Sequence, residues 1–121
     1  LEVGCDRVVV VLTRERSYRK EPERMMPLFR RVYRKYPAFL EDLRTRAERY
    51  NRCREELFQL EREGRILVIA PEDTRGFSRT ERDRKKILAL WQDGFFAGLR
   101  AVGAVRDFWT GEAVPGETET M

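Results

Sequence analysis

The sequence has no histidine, only two cysteines and only two serines in 121 residues. Without imidazole, any nucleophile would lack the side chain that most often serves as general base near neutral pH. Cys5 is expected at a strand entrance and Cys53 within a helix. They form neither a disulfide framework nor a Cys/His zinc site, so both are expected as packing residues in a reducing compartment. Ser17 lies in a basic loop with no base beside it, and Ser78 is better explained as a helix cap, so neither is assigned as a nucleophile. The chain also lacks a Gly-x-Ser-x-Gly elbow and a phosphate-cradling Gly-rich loop. No apolar run approaches the roughly 20 residues needed to cross a bilayer, and no segment reads as a signal peptide. No catalytic residue, metal ligand or cofactor is assigned.

Charge is abundant. Lys and Arg number 25 against 21 Asp and Glu, for a formal net charge of +4, and only four of the basic residues are lysines. Arg makes bidentate contacts with phosphate and carboxylate, so nucleic acid or an anionic membrane surface has to be weighed. The signs are interleaved, however, as in Glu41-Asp42-Leu43-Arg44 and Arg79-Thr80-Glu81-Arg82-Asp83-Arg84. Interleaving marks solvated helix faces with local ion pairs rather than a phosphate-binding stripe.

The apolar pattern gives an α/β chain with the order β-α-α-β-α. Val8 to Leu12 is a continuous run with no polar face, which reads as a strand over residues 7–13 buried on both sides, the habit of parallel sheets covered by helices. It begins at once, with no initiator Met, and reads as the interior of a larger domain. A loop, Arg14 to Glu21, follows. Pro22 suits the first position of a helix over 22–35, which Pro37 ends by restricting Tyr36. A long helix over 37–63 carries Leu40, Leu43, Ala47, Tyr50, Cys53, Leu57 and Leu60 at three- and four-residue steps, and Gly64 is placed to cap it. Ile66 to Ala70 forms the second buried strand, over 65–70, parallel to the first through a right-handed crossover. Ser78-Arg79-Thr80-Glu81 reads as a capping box opening a helix over 79–102. That helix directs Ile87, Leu88, Leu90, Trp91, Phe95, Leu99 and Val102 to the core. Gly94 and Gly98 suggest close approach to a neighbouring backbone. Residues 104–121 read as a flexible tail.

In open α/β sheets, sites collect beyond the strand C-termini, which directs attention to Arg14–Glu21 and Pro71–Phe77. Arg14, Arg16, Tyr18, Arg19 and Lys20 form an anion-attracting cluster, readable as a head-group site or as a solvated loop. Arg14, Arg16 and Arg19 are candidate binding residues.

The stretch Gly4-Cys5-Asp6-Arg7-Val8-Val9-Val10-Val11-Leu12-Thr13-Arg14 resembles the late core strand of bacterial patatin-like phospholipases. The likeness continues through Arg49-Tyr50-Asn51, Ile69-Ala70-Pro71, Ser78-Arg79-Thr80-Glu81-Arg82-Asp83 and Trp91-Gln92-Asp93-Gly94, spanning most of the chain from Gly4 to about Leu99. The resemblance implies a parent that hydrolyses lipid acyl esters with a Ser–Asp dyad and no His. The family's elbow serine and Asp-Gly pair do not map onto this chain: Asp6 is followed by Arg7, and Asp93-Gly94 falls within a helix. Residues 1–14 are then the last core strand of the catalytic domain, and 15–103 a non-catalytic C-terminal region that completes and covers its sheet. Tyr50 and Asn51 are the further candidate contacts of this region. The implied partner is the remainder of the catalytic domain, with a lipid surface as a second. Self-association through exposed strand edges stays open, as does a basic binding module, with nucleic acid the less favoured ligand. The location implied is cytoplasmic or at the periphery of a membrane.

Overall fold

The computed structural model describes residues 1–111. The elements are β1 (Val8–Val11), α1 (Met26–Val32), α2 (Pro37–Arg62), β2 (Ile66–Ile69) and α3 (Arg84–Thr110), a mixed α/β chain in the expected order. They form two compact units. One joins Leu1–Ser17 to the described residues from Glu61 onward; the other is Tyr18–Leu60.

In the first unit, β1 and β2 pair in parallel, from Val8 opposite Ile66 to Val11 opposite Ile69. The Leu12 N–H donates to the Ile69 carbonyl at 2.8 Å. Amide groups alternate sides along a strand, so Val8 and Val10 also face β2, while the Val9 and Val11 amides face the other edge. Among the described residues no third strand occupies that edge. Having one neighbour explains why β1 is only half-buried and ends in a Val11 that is 70% exposed, where burial on both sides was expected. Burial is concentrated instead on β2, at Ile66 and Val68.

α3 packs on β2. Small residues make that approach possible: Ala97, Ala101 and Ala104 fall at three- and four-residue steps and lie along the sheet, ending at buried Phe108. The large residues expected in the core, Leu88, Trp91, Phe95, Leu99 and Val102 among them, are exposed instead. They occupy the opposite side of the helix, so a single apolar face was the wrong reading of a helix that has two. Gly94 and Gly98 face open space, with nothing within 4 Å of where a Cβ would lie, and so mark no close backbone approach.

The helix ends also differ from expectation. α3 opens later because Asp83 caps it, accepting from the Lys85 N–H at 2.9 Å. Glu81 does reach back to the Ser78 N–H, but it also takes the amides of Arg82 and Asp83, which holds this segment as a turn before the helix. At its far end α3 continues through residues 104–110, the first part of the expected tail; the remainder lies outside the described residues apart from Gly111. α1 starts at Met26, not at Pro22, because Pro27 is tolerated only in a first turn, where its missing N–H has no partner to lose. Gly64 follows α2 at φ 69°, as a C-terminal glycine should. Cys5 and Cys53, expected to pack, are both exposed.

One contact ties the entrance of β1 to the end of α3. The Arg7 guanidinium donates to the Phe108 carbonyl and lies 5.5 Å from the Phe108 ring centre. A cation at a helix C-terminus satisfies an orphan carbonyl and opposes the negative end of the helix dipole. Gly111 closes the helix at φ 81°, and a Cβ there would come within 2.7 Å of Arg7 Nη2. Gly111→Ala should therefore cost more than the roughly 1 kcal/mol of the left-handed conformation alone. Urea unfolding checks this: the loss should shrink in an Arg7→Ala background, and an equal loss in both would separate Arg7 from the cap.

Candidate functional site

The loops after β1 and β2 are fastened to one another. Glu15 is 5% exposed and Thr74 2% exposed. The Thr74 N–H donates to Glu15 Oε2 at 3.1 Å, and the Thr74 hydroxyl donates to the same oxygen. Arg14 Nη1 reaches the Thr74 carbonyl and hydroxyl oxygens at 3.4 and 3.3 Å. Arg16 holds Glu61 by a two-pronged pair at 2.6 and 2.7 Å and donates to the Val68 carbonyl at 3.1 Å. Of the candidate anion-binding residues, then, Arg14 and Arg16 spend donors on this chain's own carboxylate, hydroxyl and carbonyl groups.

The electrostatics define what this arrangement can do. The Thr74 hydroxyl, ahead of the opposing burial, holds the Glu15 carboxyl below its ordinary range. Asp73 is drawn down to about 2, chiefly by its hydrogen bond from the Arg75 side chain. Both carboxylates are thus fixed acceptors at neutral pH. A general acid or base needs a pKa near the working pH, and these are displaced the other way. Among the described residues no group of three or more His, Cys, Asp or Glu is placed to hold a metal ion.

Beside this clamp lies an apolar cleft of about 240 Å³ at the C-terminal ends of both strands. Val11, Leu12, Ile69 and Pro71 form its sheet side, and Leu90 and Gly94 its α3 side. The missing side chain of Gly94 keeps this wall open. Apart from Thr13, the side chains that line the cleft are hydrocarbon.

Arg19, Tyr50 and Asn51 belong to the second unit. The Asn51 amide makes a reciprocal pair with one residue of backbone: it accepts from the Lys20 N–H at 2.8 Å and donates to the Lys20 carbonyl at 3.0 Å. That pins the chain before α1 against α2. Next to it, Arg54 is 3% exposed, with its guanidinium 5.4 to 5.9 Å from the ring centres of Phe58, Tyr50 and Tyr18. A desolvated cation over several aromatic faces gains about 2 kcal/mol or more. Lys20 lies over the Tyr50 ring at 5.4 Å, and Tyr18 meets Tyr50 edge-on at 6.0 Å. Arg19 is exposed and donates to the neighbouring Tyr18 carbonyl at 3.2 Å.

Sequence reasoning missed Glu15, Thr74 and Arg54. For Arg54 a signal existed: Tyr50, Arg54 and Phe58 are spaced by four, one above another on a helix face. For Glu15 the signal was an acid isolated among basic residues just past an apolar strand.

Two results come from comparison with known proteins. The family described as a domain of unknown function (DUF6363) matches residues 36–110, more than half of the chain. No curated protein and no solved structure matches it.

A lowered folded-state pKa means that Glu15 stabilises the fold fully above the ordinary carboxylate value of 4.5 and loses that contribution as pH falls through the lower, folded value. Glu15→Gln should be about 1–3 kcal/mol less stable than the native chain at pH 7. The gap should narrow below pH 4.5 in urea titrations. A gap that is constant with pH would contradict an ionised clamp.

Proposed function

The chain belongs to the DUF6363 family, whose function is unknown, and on the resemblance of its motifs we propose that it is the non-catalytic C-terminal portion of a patatin-like lipid acyl hydrolase. In this reading β1 is the last core strand of the catalytic sheet, and the helices after it cover and brace that sheet. The observation that carries the reading is the edge of β1 that no strand occupies among the described residues, where the Val9 and Val11 amides point away from β2 and Val11 is exposed. A parallel strand with one free edge is an incomplete sheet element, because parallel sheets are ordinarily paired and covered.

Two further features support it. The family match begins at residue 36, so β1 lies outside the matched segment although it pairs with β2 inside it, as a strand shared with a preceding sheet would. The Glu15–Thr74 clamp also sits at the strand C-termini, the side of an α/β sheet where reacting groups gather. There it would hold two loops rigid beside an acyl site formed by preceding parts of the parent. Structural support, not bond making, is the role that its two fixed carboxylates and engaged guanidinium groups suit.

Expression of the 121-residue chain, alone and joined to the reading frame that precedes it, tests this. The chain alone should not hydrolyse a chromogenic ester. The longer protein should carry a Gly-x-Ser-x-Gly elbow and an Asp-Gly pair and should turn the ester over. Val11→Pro, which removes an edge amide, should impair the longer protein. Turnover by the clean isolated chain, or an upstream frame without the elbow, would overturn the assignment.

A further inference from the structure

α3 has three faces, and the fold accounts for only two. The first is the small-residue stripe lying on the sheet, Ala97, Ala101, Ala104 and Phe108. The second is polar: Lys86, Asp93, Arg100 and Asp107, spaced by seven, include both acidic residues of the helix. The third runs through Arg84, Leu88, Trp91, Phe95, Leu99, Val102, Arg106 and Trp109 at three- and four-residue steps. Its six apolar members are each half exposed or more.

The charge on that third face has one sign. Arg84 and Arg106 stand near its two ends, Lys85 adjoins Arg84, and no carboxylate interrupts it. The helix has 27 residues, about 40 Å at 1.5 Å per residue, so the face is a long line rather than a pocket. Trp, Phe and Leu along one side of a helix, with basic residues beside them and acids turned away, is the pattern that lies in a lipid head-group layer. Trp suits that layer because its ring is apolar while its N–H is polar. No helix among the described residues is long and apolar enough to cross a membrane, so such contact would be along the helix rather than through the bilayer.

We propose that this face docks α3 lengthwise onto an anionic lipid surface. The aromatic and aliphatic side chains enter the acyl boundary, and Arg84, Lys85 and Arg106 meet the lipid phosphates. This contact is separate from the open edge of β1 and does not depend on the hydrolase reading.

The test uses the 121-residue chain with phosphatidylcholine vesicles, with and without phosphatidylglycerol, followed by co-sedimentation and by tryptophan emission. Trp91 and Trp109 are the only two tryptophans, and both lie on the face in question, so the emission reports on it alone. Anionic vesicles should bind at least about tenfold more tightly than neutral ones and shift the emission to the blue, since each basic residue near such a surface adds to the attraction. Arg84→Glu with Arg106→Glu should abolish the anionic preference. Phe95→Ser with Leu99→Ser should abolish binding to both vesicles, with circular dichroism confirming that the helix persists. Tyr36→Ser, at an exposed aromatic outside α3, should change nothing. Equal binding to both vesicles, or none, would overturn the proposal. So would loss of binding in Tyr36→Ser, or a concentration-dependent dimer that shields the tryptophans and excludes vesicles.

Discussion

Four rungs of parallel pairing between β1 and β2 are the constraint on which the first unit depends. A ladder that short has little cohesion of its own, and parallel pairing is weaker per residue than antiparallel. It is therefore fastened at both ends. At its entrance Arg7 grips the last turn of α3 through the Phe108 carbonyl, so the strand cannot shift without disturbing the helix that covers it. At its exit Glu15 and Thr74 join the two loops, with Arg14 and Arg16 adding side-chain bonds back to the loop and the sheet. Removing an element of either fastening costs a desolvated polar group one of its bonds, which is why these few bonds matter more than their number suggests.

The fastenings also determine what the loops can do. Loops beyond strand C-termini commonly bind or react, and a row of arginines in such a loop invites an anion. Here Glu61 supplies the anion for Arg16 from within the chain, while Thr74 keeps the neighbouring Glu15 ionised. The result is a rigid rim beside an apolar cleft. That combination suits a part that shapes a neighbouring site, and it accords with a strand whose second edge is free.

Continuous β-branched runs, breaker residues and helical periodicity made the element order and the parallel pairing legible in the sequence. α2 was the clearest, with Pro37 at its start and Gly64 just beyond its end. Burial was much less legible. The apolar residues of α3 divide between a side of alanines and a side of aromatics, and size suggested the aromatics for the core. The side of α3 that approaches the two-stranded sheet is the alanine side instead, where small side chains let the helix come near. The Asn51 bond to the Lys20 carbonyl was foreseeable because Asn51 adjoins the apolar stripe, whereas Glu15–Thr74 joins residues 59 apart and had no local trace. Non-local polar pairs leave no periodicity, so spacing alone could not find them.

Hydrogen exchange at β1 tests the central claim most directly, because the two sets of amides on this strand have different partners. In the isolated chain the Val8, Val10 and Leu12 amides should be protected by β2, while those of Val9 and Val11 exchange rapidly. If β1 is, as proposed, the last strand of a larger sheet, all five should be protected in that parent protein, where a further strand would pair with this edge. Val9 and Val11 amides that stay fast in the parent would contradict the account.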